Sequence, residues 1–162
     1  MPEIARSLKR LKYKDLELEF DKNTKEVSEK LKQEIPETQQ EKLLLGQTTN
    51  EVEERLFSVA ELSPRAAILE AWLIIESTAV DLIRKKGISA IKSHPGPMRI
   101  RDNLAKGELL THNQLMAFEM LRSLRNEAVH VADAKFSSES VSTYITSALK
   151  IAAYLEYKAN EL

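Results

Sequence analysis

The chain has 162 residues, 43% hydrophobic and 30% charged, with a formal net charge of -1; that suits one compact domain with a real core plus an appended segment. It has no Cys, which excludes disulfides, thiolate catalysis and Cys-based zinc sites. No apolar run approaches the roughly 18 residues that cross a bilayer, and the start lacks the apolar centre of a secretory signal.

With four Gly, five Pro and abundant Leu, Ala, Glu and Lys, the composition predicts an all-α fold. The near-neutral total hides an uneven distribution. Positions 1 to 14 carry five bases against Glu3, positions 15 to 54 carry twelve acids against five bases, and positions 84 to 106 carry seven bases against Asp102 alone. The last block has the composition that attracts a polyanion, or that lines solvated helix ends.

Tyr13 to Phe20 alternates Leu16, Leu18 and Phe20 with Asp15, Glu17 and Glu19, a period of two that predicts a short extended strand. After Asp21, Val27, Leu31 and Ile35 recur every fourth residue, which predicts a thin amphipathic helix ending before Pro36. The polar stretch from Pro36 to Asn50, interrupted by Leu43, Leu44 and Leu45, reads as a linker with a small docking contact. The chain is therefore expected to divide into residues 1–49, an arm, a helix and a linker, and residues 50–162, a helical domain that holds a cooperative core by itself.

Within that domain Asn50 is the expected cap of a short helix containing Val52, Leu56, Phe57 and Ala60. Ser63-Pro64 supplies an N-cap followed by proline at the first helical position, and the helix can run to Lys86 before Gly87. Ala66 to Ile75 is apolar on nearly every face with Glu70 its only charge, so this helix is expected at the centre, with Trp72 in the core. His94-Pro95-Gly96-Pro97 marks a loop and Met98 to Lys106 a short basic helix. Thr111 to Gln114 forms a capping box for a long helix with the stripe Ala117, Leu121, Leu124 and Ala128. Ser137 or Ser138 caps the last helix, whose stripe is Val141, Tyr144, Ile145, Ala148, Ala152 and Leu155.

Arg125-Asn126-Glu127-Ala128-Val129-His130 sets a guanidinium, an amide and an imidazole within about two helical turns. An Arg neutralises and orients a phosphate, and a His passes protons near neutral pH. On a regular helix, however, His130 is rotated about 140° from Arg125, whereas Asn126 and His130 share a face. Convergence needs the helix to loosen near Val129, or a second copy to bring its own pair opposite the first. The structural alternative is an ion-paired Arg125 and a helix-capping His130. The spacings of His94, His112 and His130 suit no metal, and neither metal nor cofactor is expected.

The region from Leu62 to Leu155 resembles the HEPN superfamily of four-helix domains. The resemblance rests on S-P-R-A-A-I-L-E-A-W at Ser63 to Trp72 and L-R-S-L-R-N-E-A-V-H at Leu121 to His130, strings similar to those of an uncharacterised bacterial branch. It implies a helical bundle, here with an additional N-terminal arm and helix, that forms a homodimer through its motif-bearing helices. In active members it implies RNA cleavage without metal by Arg125, Asn126 and His130, with toxin–antitoxin or phage-defence roles. Arg122, Arg99, Arg101 and Lys106 are expected to guide RNA. Ala132 stands where some toxin members carry a modifiable Tyr, which argues against that form of antidote control. The alternative implied by silent members is a non-catalytic interaction module with a protein partner. Lys12 to Phe20 also resembles the segment after membrane anchors in relatives; if such an anchor precedes this chain, Arg6 to Lys14 would be juxtamembrane charges. The expected location is the cytoplasm, or the cytoplasmic face of a membrane.

Overall fold

The computed structural model describes residues 2–35, 47–88, 96–131 and 134–161. Among them the fold is all-helical: α1 (Pro2–Glu34), α2 (Gln47–Leu62), α3 (Pro64–Lys85), α4 (Pro97–Lys106), α5 (His112–His130) and α6 (Ser138–Asn160).

The caps show why the helices begin and end where they do. Ser63 Oγ accepts the Ala66 N–H at 3.1 Å, with Pro64 in the first turn. At the other end of α3, Gly87 takes φ 65°, while its N–H reaches the Arg84 carbonyl and that of Ile88 reaches Ile83. This is a Schellman closure, which needs a left-handed residue and finds it cheaply in glycine. The capping box of α5 is complete: Thr111 Oγ1 accepts from the Gln114 N–H and Gln114 Oε1 from the Thr111 N–H. Ser137, rather than Ser138, caps α6 through the Ser140 N–H.

The expected strand at Tyr13–Phe20 is helix instead, continuous with the helix expected after Asp21. No Gly or Pro interrupts residues 3–35, and the longer 3.6-residue period wins. Leu16 is half-buried, Phe20, Thr24, Val27 and Leu31 are buried on one stripe, and Leu18 falls on the opposite side at 58% exposure. Asn50 is likewise not a cap, because α2 already begins at Gln47. Residues 36–46, including the three-leucine contact, lie outside the described residues, as do His94 and Pro95.

Among the described residues α3 and α6 pack together along their length; α1 lies against α5 and α6, α2 against α3 and α6, and α4 bridges α3 and α5. Side-chain contacts give the directions. Lys85 meets Asn160 and Lys86 meets the Glu161 carbonyl, so α3 and α6 run parallel. Glu34 accepts hydrogen bonds from Thr111 and Asn113 at the start of α5, whereas Glu17 and Asp21 meet Lys135 and Ser137 just beyond its end. Thus α1 is antiparallel to α5.

The core contains Trp72 tilted against Phe118 at 5.1 Å between centroids, and Phe20 against Phe136 at 4.3 Å. Trp72 Nε1 donates to Glu76 Oε1 at 2.7 Å, which satisfies the indole and gives a buried carboxylate one of its bonds. Phe20, Val27, Leu31 and Ile35 of the first 49 residues are fully buried in the same apolar cluster as the side chains of α3, α5 and α6. The division expected between residues 49 and 50 falls inside α2. No helix among the described residues is long and apolar enough to cross a membrane.

Candidate active site

The motif occupies the last two turns of α5, whose core stripe of Ala117, Leu121, Leu124 and Ala128 is buried. The helix is regular through His130; it does not loosen at Val129, and Arg125 and His130 stay about 140° apart around its axis. One chain alone does not bring them together.

Arg125 is half-buried. Its Nη1 donates to Asn126 Oδ1 at 2.8 Å, while its Nε is buried with no hydrogen-bond partner. Its charge is felt by the Tyr144 hydroxyl, which donates to the Leu121 carbonyl at 3.0 Å. Burial pushes that hydroxyl far above its ordinary range, Arg125 opposes the shift and Glu76 adds to it. His130 is exposed and makes no hydrogen bond or ion pair among the described residues. Asn126 does not hold the imidazole, since His130 makes no hydrogen bond among the described residues; the Asn126 oxygen accepts from Arg125 instead.

Residues 122, 126 and 130 follow one another at four-residue spacing, so Arg122, Asn126 and His130 share a strip about 80° wide. Arg122, rather than Arg125, lines up with the amide and the imidazole. It is not free, however. Arg122 donates to Glu119 Oε2 through Nε and Nη2 at 3.3 and 3.0 Å, and Arg101 approaches Glu119 Oε1 at 3.5 Å. One carboxylate thus serves two of the cations expected to guide RNA, and Arg101 has Asp102 beside it as well. Arg99 and Lys106, on α4, remain exposed.

Behind the strip, Glu127 faces α1. Its Oε2 is buried without a hydrogen bond, and burial followed by repulsion from Glu19 raises its carboxyl above the ordinary value. From the sequence, Tyr144 is a core residue of the last helix and Glu127 a link in the motif, and neither they nor Glu119 have a role at the site. The i,i+3 spacing of Glu119 and Arg122 was a usable signal; the approach of Arg101 was not, because it depends on how α4 docks.

Two open grooves, one at Arg55, Glu70, Leu73 and Ser77, the other at Phe57, Pro64, Phe136 and Val141, contain no motif residue. Among the described residues no three His, Asp or Glu side chains gather as a metal centre. No protein-family model matches the chain, and comparisons with curated proteins and with solved structures return no match.

Proposed function

We propose that this chain is a HEPN-type endoribonuclease that acts as a homodimer without a metal ion. The observation that carries the reading is the exposed His130 at the end of a strip that also holds Arg122 and Asn126, the latter bonded to the Arg125 guanidinium. Arg125 spends one of its five donors on Asn126, leaving others for a phosphate.

In this mechanism His130 removes the proton of the ribose 2′-hydroxyl, whose oxygen attacks the adjacent phosphorus. His130 of the partner subunit protonates the departing 5′-oxygen. Acid and base come from one residue through a twofold axis. Arg125 stabilises the added negative charge on the phosphate oxygens, Asn126 orients the phosphate, and the products are a 2′,3′-cyclic phosphate and a 5′-hydroxyl. Arg122, Arg99, Arg101 and Lys106 attract the RNA; Arg122 and Arg101 do so only to the extent that Glu119 releases them.

A second reading, a non-catalytic interaction module, is favoured by the same bonds seen differently: Arg125 secures Asn126, and Glu119 ties Arg122 to Arg101. Incubating purified protein with mixed RNA in chelator and analysing product ends separates the two. The ribonuclease reading expects cyclic phosphate ends. It also expects His130→Ala and Arg125→Ala each to lower cleavage about a hundredfold or more while helicity is retained. Arg101→Ala should weaken RNA binding modestly and reduce its salt sensitivity. Full activity in folded His130→Ala overturns the mechanism, and no cleavage by the unaltered protein leaves the module.

A further inference from the structure

Helix α1 carries two apolar stripes on opposite sides. Phe20, Val27 and Leu31 are fully buried in the bundle. Ile4, Leu8, Leu11 and Leu18 are 58, 61, 59 and 58% exposed; at about 100° per residue their mean direction lies roughly 165° from the buried stripe. Every residue from Glu3 to Lys12 is exposed. Since Glu17 already meets the bundle at Lys135, the preceding part of α1 projects about 20 Å past the end where α5 finishes at His130. Such a length of helix is marginal alone in water, and its apolar stripe touches nothing else described.

The charges select what covers it. Up to Lys14 the helix carries Arg6, Lys9, Arg10, Lys12 and Lys14 against the single acid Glu3; Lys12 and Lys14 flank the stripe at about 75–85° to either side, Arg6, Lys9 and Arg10 lie on the far side of the helix, and Asp15 falls on the stripe between Leu11 and Leu18. A second copy fits poorly. Parallel pairing along the stripe sets Asp15 against Asp15 of the partner subunit, and antiparallel pairing centred on Leu11 brings together two segments, residues 1–14 of each copy, that hold five bases and one acid apiece. RNA would account for the bases and leave the leucines in water. An anionic bilayer surface accounts for both: the apolar side chains enter the boundary of the acyl chains, and the flanking lysines reach the headgroups.

We propose that the projecting part of α1 lies in the headgroup layer of an anionic membrane, with Ile4, Leu8 and Leu11 facing the acyl chains. The His130 end of the bundle is then held close to the lipid surface. The inference is independent of the ribonuclease reading, since it uses no motif residue.

Cosedimentation of the full chain with vesicles of neutral phosphatidylcholine, alone or with about 30% phosphatidylserine, tests it, because each base near such a surface strengthens binding about fivefold. Binding is expected only with phosphatidylserine, and should weaken as salt rises. The pairs Leu8→Ser with Leu11→Ser, and Lys12→Glu with Lys14→Glu, are each expected to reduce partitioning about tenfold or more. Helical circular dichroism and the thermal midpoint should be unchanged, because none of the four residues is in the core. Three results overturn the proposal: no sedimentation with anionic vesicles; binding that the serine pair leaves untouched, which is charge adsorption alone; or a self-associated protein, separated by the serine pair, that ignores vesicles.

Discussion

At the end of α4 the left-handed backbone position belongs to Glu108, φ 52°, and not to the glycine beside it. Gly107 sits one residue earlier at φ -84°, where its role is space: a Cβ there would run into the Ile88 side chain. Gly107→Ala is therefore expected to destabilise by no more than about 1 kcal/mol, because the atom it meets first is the movable end of the Ile88 side chain. Glu108→Gly should stabilise by about 0.5–1 kcal/mol, the relief of a left-handed L-residue less glycine's extra entropy. Urea midpoints of the two variants check both signs. Glu127 offers a pH-dependent case. Because folding raises its pKa, the folded chain holds that proton more tightly than the unfolded one. The linked stability is fully present below the ordinary carboxylate pKa and is lost as pH rises through the raised value. Glu127→Gln should then stabilise at pH 7, by a fraction of a kcal/mol because water screens a half-open group. The gain should vanish below about pH 4, where glutamic acid and glutamine are both neutral. Thermal midpoints of the two proteins across that range measure it.

At the scale of elements, α1 behaves as two helices in one. Its first part is bathed in water, and its second supplies Phe20, Val27 and Leu31, which with Ile35 just beyond its end are all fully buried. Deleting residues 1–14 is expected to shift the thermal midpoint by no more than about 2 °C, since of the side chains it removes Glu3 to Lys12 and Lys14 are exposed and Tyr13 is half-buried. Deleting residues 1–35 strips four side chains worth about 2 kcal/mol each. The resulting loss of about 8 kcal/mol is comparable with the whole stability of an ordinary domain, so the cooperative transition should disappear. A calorimetric scan of each truncated chain distinguishes these outcomes from the independent core that the long stripes of α3, α5 and α6 suggest when residues 50–162 are considered alone.

For the whole molecule, the separation of Arg125 from His130 around α5 makes self-association the requirement of the catalytic reading. Mass measured across a dilution series should give a dimer at micromolar concentration. The helix Leu121–His130 should pack near its symmetry mate, because a twofold axis repeats every contact. A monomer throughout that series would remove the route by which acid and base meet.

The sequence by itself determined the helical class and most helix limits. These are local matters: Ser63-Pro64, Gly87, the Thr111–Gln114 box and Ser137 act on backbone groups within a few residues. The stripes of α5 and α6 were legible too, because burial there follows a 3.6-residue period. Tyr13–Phe20 was not, since six alternating residues fit either period and only Phe136 and Tyr144, distant in the chain, give Phe20 a core to enter. The candidate site divides in the same way. Its residue types and the alignment of Arg122, Asn126 and His130 follow from spacing. Tertiary structure decided that Glu119 lies between two arginines and that Glu127 lies against Glu19. Those placements depend on how α4 and α1 pack against α5, and pairings between distant segments leave no periodic trace in the chain.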